Sequence, residues 1–315
     1  MADIKTVATR ASYGEALVEL GKQRNDFIVL DADLAAATQT GKFKAAFPDR
    51  FYDCGIAEQN MISIAAGIAS TGKKVFVSSF AMFAAGRAFE QIRNSICYPN
   101  LHVVIGATHA GISVGEDGAT HQCLEDIALM RTLPNMTVIN PADDTEAKKA
   151  IFAAIDHDGP VYMRFGRYAV PVIFGDDYKF QIGKASVLRE GTDVSIIATG
   201  LMVSEALKAH QILKDEGIEA RVINMATIKP IDKEAVLAAA KETGAIVTAE
   251  EHSVIGGLGG AVSELVCEEC PVPVIKLGVY DRFGYSGPAG KLLDEFGLRA
   301  KDIAEKAKSA INLKK

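Results

Sequence analysis

The sequence predicts an α/β protein built of two doubly wound domains with mainly parallel sheets. Three observations carry this. Short β-rich apolar runs alternate with helical patterns along the chain. The alternation loosens once, near residues 166–185, and then restarts. A chain of 315 residues also suits about two domains. The expected division is 1–168, an ordered linker over 169–185, and 186–315.

In chain order, "SYGEALVELGKQ" (12–23) predicts a helix and "DFIVLDAD" (26–33) a strand. "YDCGIAEQNMISIAAGIAS" (52–70) predicts a buried apolar helix, with Glu58, Gln59 and Asn60 at its entrance. A strand at 74–79, a helix at 81–96 and a strand at 101–107 follow, then a strand at 136–140, a helix at 144–157 and a strand at 160–165. Past the linker, "DVSIIATG" predicts a strand and "LMVSEALKAHQILKDEG" a helix closed by Gly217. "EARVINM", "AIVTAEE" and "PVIKLGVY" predict further strands, with helices near 232–242, 258–269, 288–296 and 300–311.

The net charge of −6 comes without any basic block, which argues against a nucleic-acid partner. No apolar run approaches the roughly 20 residues that span a bilayer, so no membrane partner is expected. The N-terminus lacks the apolar core of a signal peptide, which makes the cytoplasm the expected location. Five scattered cysteines argue against a disulfide framework. Cys267 and Cys270 have no second pair to complete a zinc site and read as residues of a helix face. No metal site is expected within this chain.

Ligands of open parallel sheets gather at the carboxyl ends of the strands, and polar residues cluster there: Asp31, Asp33, Ser78, Ser79, Thr108, His109 and Arg164. The segment "GATHAGISVGEDGATHQ" brings His109 and His121 within one glycine-rich loop. It reads either as a site offering donors to an oxyanion or phosphate, or as a structural loop with Asp117 capping a turn and His121 at a helix start. Phe80 and Phe83 share a helical face, as a core pair or as a wall for a flat heterocycle. Arg10 and Arg164 suit a phosphate or a surface ion pair. "EEHSVIGGLGG" misses the dinucleotide spacing, since Val262 stands where a glycine is required, and reads as close packing at a domain or subunit contact. Glu58 at a helix entrance is favoured by the helix dipole by about 0.3–1 kcal/mol.

Taken together, "GIAEQNMISIAAGIA", "SSFAMF", "THAGISVGEDGATHQ", "TLPNMTVINPAD" and "FGYSGPAGKLLDEFG" resemble the transketolase family of thiamine-diphosphate enzymes, in the family's order over 5–311. The resemblance implies a pyrimidine-binding domain followed by a transketolase C-terminal-like domain. The Gly-Asp-Gly of the family's diphosphate-binding domain does not occur in this sequence. The chain thus looks like the C-terminal subunit of a split transketolase. That implies transfer of a two-carbon ketol unit from a ketose phosphate to an aldose phosphate. It also implies a homodimer of this chain within a heterotetramer, completed by an N-terminal subunit that binds the diphosphate and Mg2+ or Ca2+.

Residue by residue, the resemblance makes Glu58 the partner of an aminopyrimidine ring nitrogen, a bond that promotes loss of the thiazolium proton. Phe80 and Phe83 become the aromatic pair around that ring, and Asp33 is placed with them on the cofactor side. Asp117 and His121 match residues that meet the substrate beside its carbonyl, and Arg10, His109 and Arg164 match a cluster for the sugar-phosphate end. Two positions depart from the pattern. Gly86 stands where an aromatic residue is expected, and Ala37 or Thr38 where a serine of the phosphate cluster is expected, with Thr38 the substitute. A deoxyxylulose-phosphate synthase, a 2-oxo-acid dehydrogenase β subunit and a non-catalytic module remain alternatives. The first is expected to carry Asp-Arg at His109, and the second Gln-His-Ser at Thr120-His121-Gln122.

Overall fold

Strands buried on both faces need near-continuous apolar runs, and those runs form two large sheets, beside one two-stranded sheet, in the computed structural model, which describes residues 5–314. The first half contributes β1 (Thr6–Ala8), β2 (Phe27–Asp31), β3 (Phe51–Asp53), β4 (Lys74–Phe80), β5 (Val103–Thr108), β6 (Thr137–Ile139), β7 (Val161–Arg164) and β8 (Ala169–Pro171). The second contributes β9 (Ser186–Arg189), β10 (Val194–Ala198), β11 (Ala220–Asn224), β12 (Thr227–Lys229), β13 (Ile246–Ser253) and β14 (Val274–Val279).

The first sheet runs β12-β6-β7-β5-β4-β2-β3 and the second β14-β13-β10-β11-β9. Pairs in the first sheet are parallel except β12 with β6, and in the second except β9 with β11. The period of two is visible in the packing. Val75 and Val77 join Met61 and Ile62 in one core, while Phe76 between them joins Tyr13 and Phe27 in another.

Five strands exceed what the sequence pattern shows, among them the four-residue β9. Strands β3 and β12 have three residues each, as do β1 and β8, which pair with each other. Three residues carry no periodicity to read. Strand β12 also comes from the second half of the chain yet completes the first sheet, with Thr227 opposite Ile139. The helix expected over 81–96 is instead two π-helical stretches, Met82–Arg87 and Ile92–Cys97, around Phe89–Gln91. Such widened turns recur at functional sites. A further helix, Asp126–Arg131, follows the glycine-rich loop. Among the described residues, no helix is long and apolar enough to cross a membrane.

The glycine-rich turn at 256–257 packs on the first domain: Arg131 Nη1 donates to Gly256 O at 2.6 Å, and a Cβ on Gly256 would press on Ala128. The helix that follows, Leu258–Glu269, offers N–H groups that elsewhere bind phosphate. Here the buried Glu250 carboxyl group accepts from Leu258 N (2.7 Å) and Gly259 N (2.8 Å), so an internal side chain fills that position.

Glu146 joins three parts of the chain. Its carboxylate accepts from Ala142 N (2.7 Å), Tyr178 Oη (2.7 Å) and Asn224 Nδ2 (2.7 Å). Burial, against these hydrogen bonds, pushes its pKa up from 4.5 to about 7. A carboxyl raised in the folded state holds its proton there more tightly than in the unfolded chain. Its contribution is therefore full below the unfolded value and is lost as pH rises through about 7. Glu146→Gln cannot ionise, and once the Asn224 amide flips, its NH2 can donate to Asn224 Oδ1, which has no partner among the described residues. The variant is expected to lose less Tm than the parent between about pH 5 and 8. Parallel Tm curves across that range would refute the assignment.

Candidate active site

Strands β2, β4, β5 and β7 run parallel, so their carboxyl ends meet at one sheet edge. Phe80 and Thr108 are register partners at the ends of β4 and β5. His109 then turns back with φ of 55°, a left-handed backbone uncommon outside glycine. Its ring stacks on Phe80 at 3.8 Å between centroids. Phe83 stacks on the same phenyl ring at 5.8 Å, and His121 meets Phe83 edge-on at 5.2 Å. Four rings thus form one wall, His109–Phe80–Phe83–His121, with His121 half-buried and held by Thr120 Oγ1 at 2.9 Å from Nδ1.

At the foot of this wall Glu58 begins helix Glu58–Ala69 and is 1% exposed. One carboxylate oxygen accepts from Ser79 Oγ (3.3 Å), the other from Arg87 Nη1 (2.9 Å). The Arg87 guanidinium lies over the Phe83 ring at 4.5 Å. Arg87 is not among the residues singled out from the sequence, although its spacing of four from Phe83 places both on one helical face. Gly86 sits in the π-helical stretch against Met82, where a larger side chain would overlap the Met82 methyl.

At the other end stands a basic cluster. Arg10 Nη1 lies 2.9 Å from His109 Nε2 and 3.0 Å from Ala37 O. A guanidinium only donates, so Nε2 accepts and the proton sits on Nδ1, facing Thr108 Oγ1 at 2.9 Å. Burial first, then the charges of Arg10 and Arg167, push His109 down to about 3, so its ring is neutral. Burial and Arg167 also lower Arg10, against the opposing charge of Asp117, which ends the stretch Ile112–Asp117 in an exposed position.

Two expectations are corrected here. Arg164 does not join this cluster. Tyr162 and Arg164, two apart on β7, share one face, and both bond Asp126 Oδ2 (2.9 and 2.8 Å). Arg164 Nη2 donates also to Cys123 O and Glu251 O, so this buried guanidinium is tied into the domain contact. The second arginine whose charge reaches Arg10 and His109 is Arg167, three residues on and partly exposed, held by Val114 O and by Glu116 Oε2 at 3.0 Å. "MRFGR" contains both arginines, and only the face on which each emerges separates them. Thr38 likewise does not substitute for a phosphate-binding serine, because it is buried and donates to Asp31 Oδ2 at 2.7 Å.

Asp33 stands apart from the ring wall in its contacts. It has φ of 63°, is exposed, and its N–H donates to Asp53 Oδ1. Among the described residues no three His, Cys, Asp or Glu are grouped to hold a metal ion. This sheet edge thus carries a buried carboxylate beside stacked rings, and the guanidinium groups of Arg10 and Arg167 near His109.

Comparison with known proteins identifies the family of both domains. Residues 5–172 match the transketolase pyrimidine-binding domain and residues 183–303 the transketolase C-terminal domain. A protein of Methanocaldococcus jannaschii named as a transketolase C-terminal section is 51% identical over 94% of this chain and 94% of its own length. A Clostridium sp. subunit named 6-deoxy-6-sulfo-D-fructose transketolase is 45% identical over 95% of this chain and 92% of its own. A solved structure described as a split gene transketolase, inactive beta4 tetramer, superimposes with a TM-score of 0.91 at 51% identity. It covers 99% of this chain and 100% of that one.

Proposed function

This chain belongs to the transketolase family, and from that premise we propose that it is the pyrimidine- and sugar-binding subunit of a two-chain transketolase. One observation carries the reading: a buried carboxylate closes one end of an aromatic wall whose other end carries Arg10, His109 and Arg167.

The residues present fit half of thiamine diphosphate. Partly exposed Phe83, with buried Phe80 stacked behind it, would meet a planar ring, and Glu58 would offer a carboxylate to a ring nitrogen. The cation-bridged diphosphate needs several oxygen ligands, which this chain does not group among its described residues, so an N-terminal subunit is proposed to supply them. Thiamine diphosphate, when bound, supplies the electron sink for cleaving a ketose beside its carbonyl. The chain's own residues do the rest. Glu58 holds or takes a proton at the ring nitrogen, while Ser79 and Arg87 fix its carboxylate. His121 and Asp117 face the reacting end of a two-carbon ketol donor. Arg10 and Arg167 bind its anionic terminus, with neutral His109 aiming Arg10.

Calorimetry with thiamine diphosphate and Mg2+ tests the division of labour. Weak binding by this chain alone, and strong binding once the partner subunit is added, is expected. Tight, Mg2+-dependent binding without a partner would refute it.

The sulfonated ketose in the name of the Clostridium relative suggests a second donor class for the same arginines, since sulfonate and phosphate are both compact anions. Assaying the two-chain enzyme with xylulose 5-phosphate and with 6-deoxy-6-sulfo-D-fructose, each with ribose 5-phosphate as acceptor, separates the two. The phosphate donor is expected to give the higher kcat/KM.

A further inference from the structure

The loop that presents Asp117 and His121 is shaped from outside its own domain. Gly111, Gly115 and Gly118 take φ of 86°, 85° and 76°, a backbone that glycine alone adopts freely. Each faces the second domain. A Cβ on Gly111 would overlap the Glu251 carboxylate, one on Gly115 would lie 3.3 Å from Gly287 O, and one on Gly118 2.5 Å from Ser286 Oγ. Ser113 N donates to Glu251 Oε1 at 2.5 Å along the same seam.

Gln122 lies at the centre of this contact and is 3% exposed. Its Nε2 faces Ile112 O (3.2 Å), Gly115 O (3.2 Å) and Tyr285 O (3.0 Å). All three are carbonyls, so only the NH2 side of the amide can point at them. Its Oε1 is then turned toward Gly284, where it is buried and without a partner among the described residues, and where even a methyl group would overlap it. A buried acceptor left unpaired is unfavourable. The same side chain is the one that ties two points of the loop to the second domain.

We infer that Gln122 is a positioning residue, through which segment 284–287 of the second domain sets the conformation of the loop carrying Asp117 and His121. The meaning of those two residues rests on the proposed function; the moulding of the loop does not.

Two substitutions test this. Gln122→Met fills similar space without the amide. Gly284→Ala is free of backbone strain, since its φ lies outside the left-handed region, and drives a methyl against Oε1 and against Ile112 Cδ1 of the loop. In this chain alone, each is expected to speed hydrogen exchange of the amides over 112–121 about tenfold, with β4 and β5 unchanged. Should one variant fail to fold, the other carries the same readout. In the two-chain enzyme, Gln122→Met is expected to lower kcat more than it raises KM. Unchanged exchange in the folded single variants would overturn the inference. Faster exchange with full kcat would uphold the moulding and sink the roles of Asp117 and His121 instead.

Discussion

Glu58→Gln is expected to lower kcat of the two-chain enzyme by about 10²–10⁴-fold, the range that one positioned acid–base group contributes. The fold is expected to survive the change. A glutamine keeps an acceptor for Arg87 Nη1, and its NH2 turns the Ser79 hydroxyl from donor to acceptor. What is lost is the charge and the ability to hold a proton, on a residue 1% exposed at the foot of the ring wall. Single-turnover kinetics together with thermal melts of the variant separate the two effects. Near-normal turnover would remove Glu58 from the mechanism. Lost turnover accompanied by a collapsed melt would make its role structural.

The second large effect distinguishes the two arginines of "MRFGR". Arg164→Met leaves Asp126 buried with only Tyr162 on Oδ2, while its Oδ1 already lacks a partner among the described residues. Breaking a buried pair from one side costs about 3–5 kcal/mol, to be read as a fall in the denaturant midpoint. Arg167→Met removes a partly exposed guanidinium held mainly by Glu116 and a backbone carbonyl, and is expected to leave that midpoint almost unchanged. Its expected effect is a rise in KM for the sugar phosphate of about tenfold to a hundredfold, the loss of a hydrogen bond to a charged group. If Arg164→Met raises KM without loss of stability, the assignment of the two arginines reverses.

Much of the ring wall is legible in the sequence. Phe80 and Phe83 follow a strand at helical spacing, His109 follows the neighbouring strand, and the parallel sheet brings those strand ends together. Glu58 stands out because a carboxylate precedes an apolar helix, and it is indeed that helix's first residue. Arg87 is legible in part: four residues after Phe83, it falls on the same helical face, while its bond to Glu58 joins residues 29 apart in the chain. Arg164 and Arg167 are interchangeable on sequence grounds. A strand boundary is uncertain by a residue or two, and each step there changes the face on which a side chain emerges.

By itself the sequence determined the alternation of strands and helices, the two successive α/β units, and the types of residue at the strand ends. These follow from periodicity and composition, which are local. The tertiary structure decided what depends on distant partners. It brought Thr227–Lys229 back to complete the first sheet, committed Arg164 and Thr38 to buried carboxylates, and placed Arg167 beside Arg10 and His109. It also set the second domain against the loop of Asp117 and His121 through Gln122. Each of these is a contact between groups far apart in the chain, and whether a polar side chain faces a carboxylate, a carbonyl or open solvent is settled only once both sides are packed.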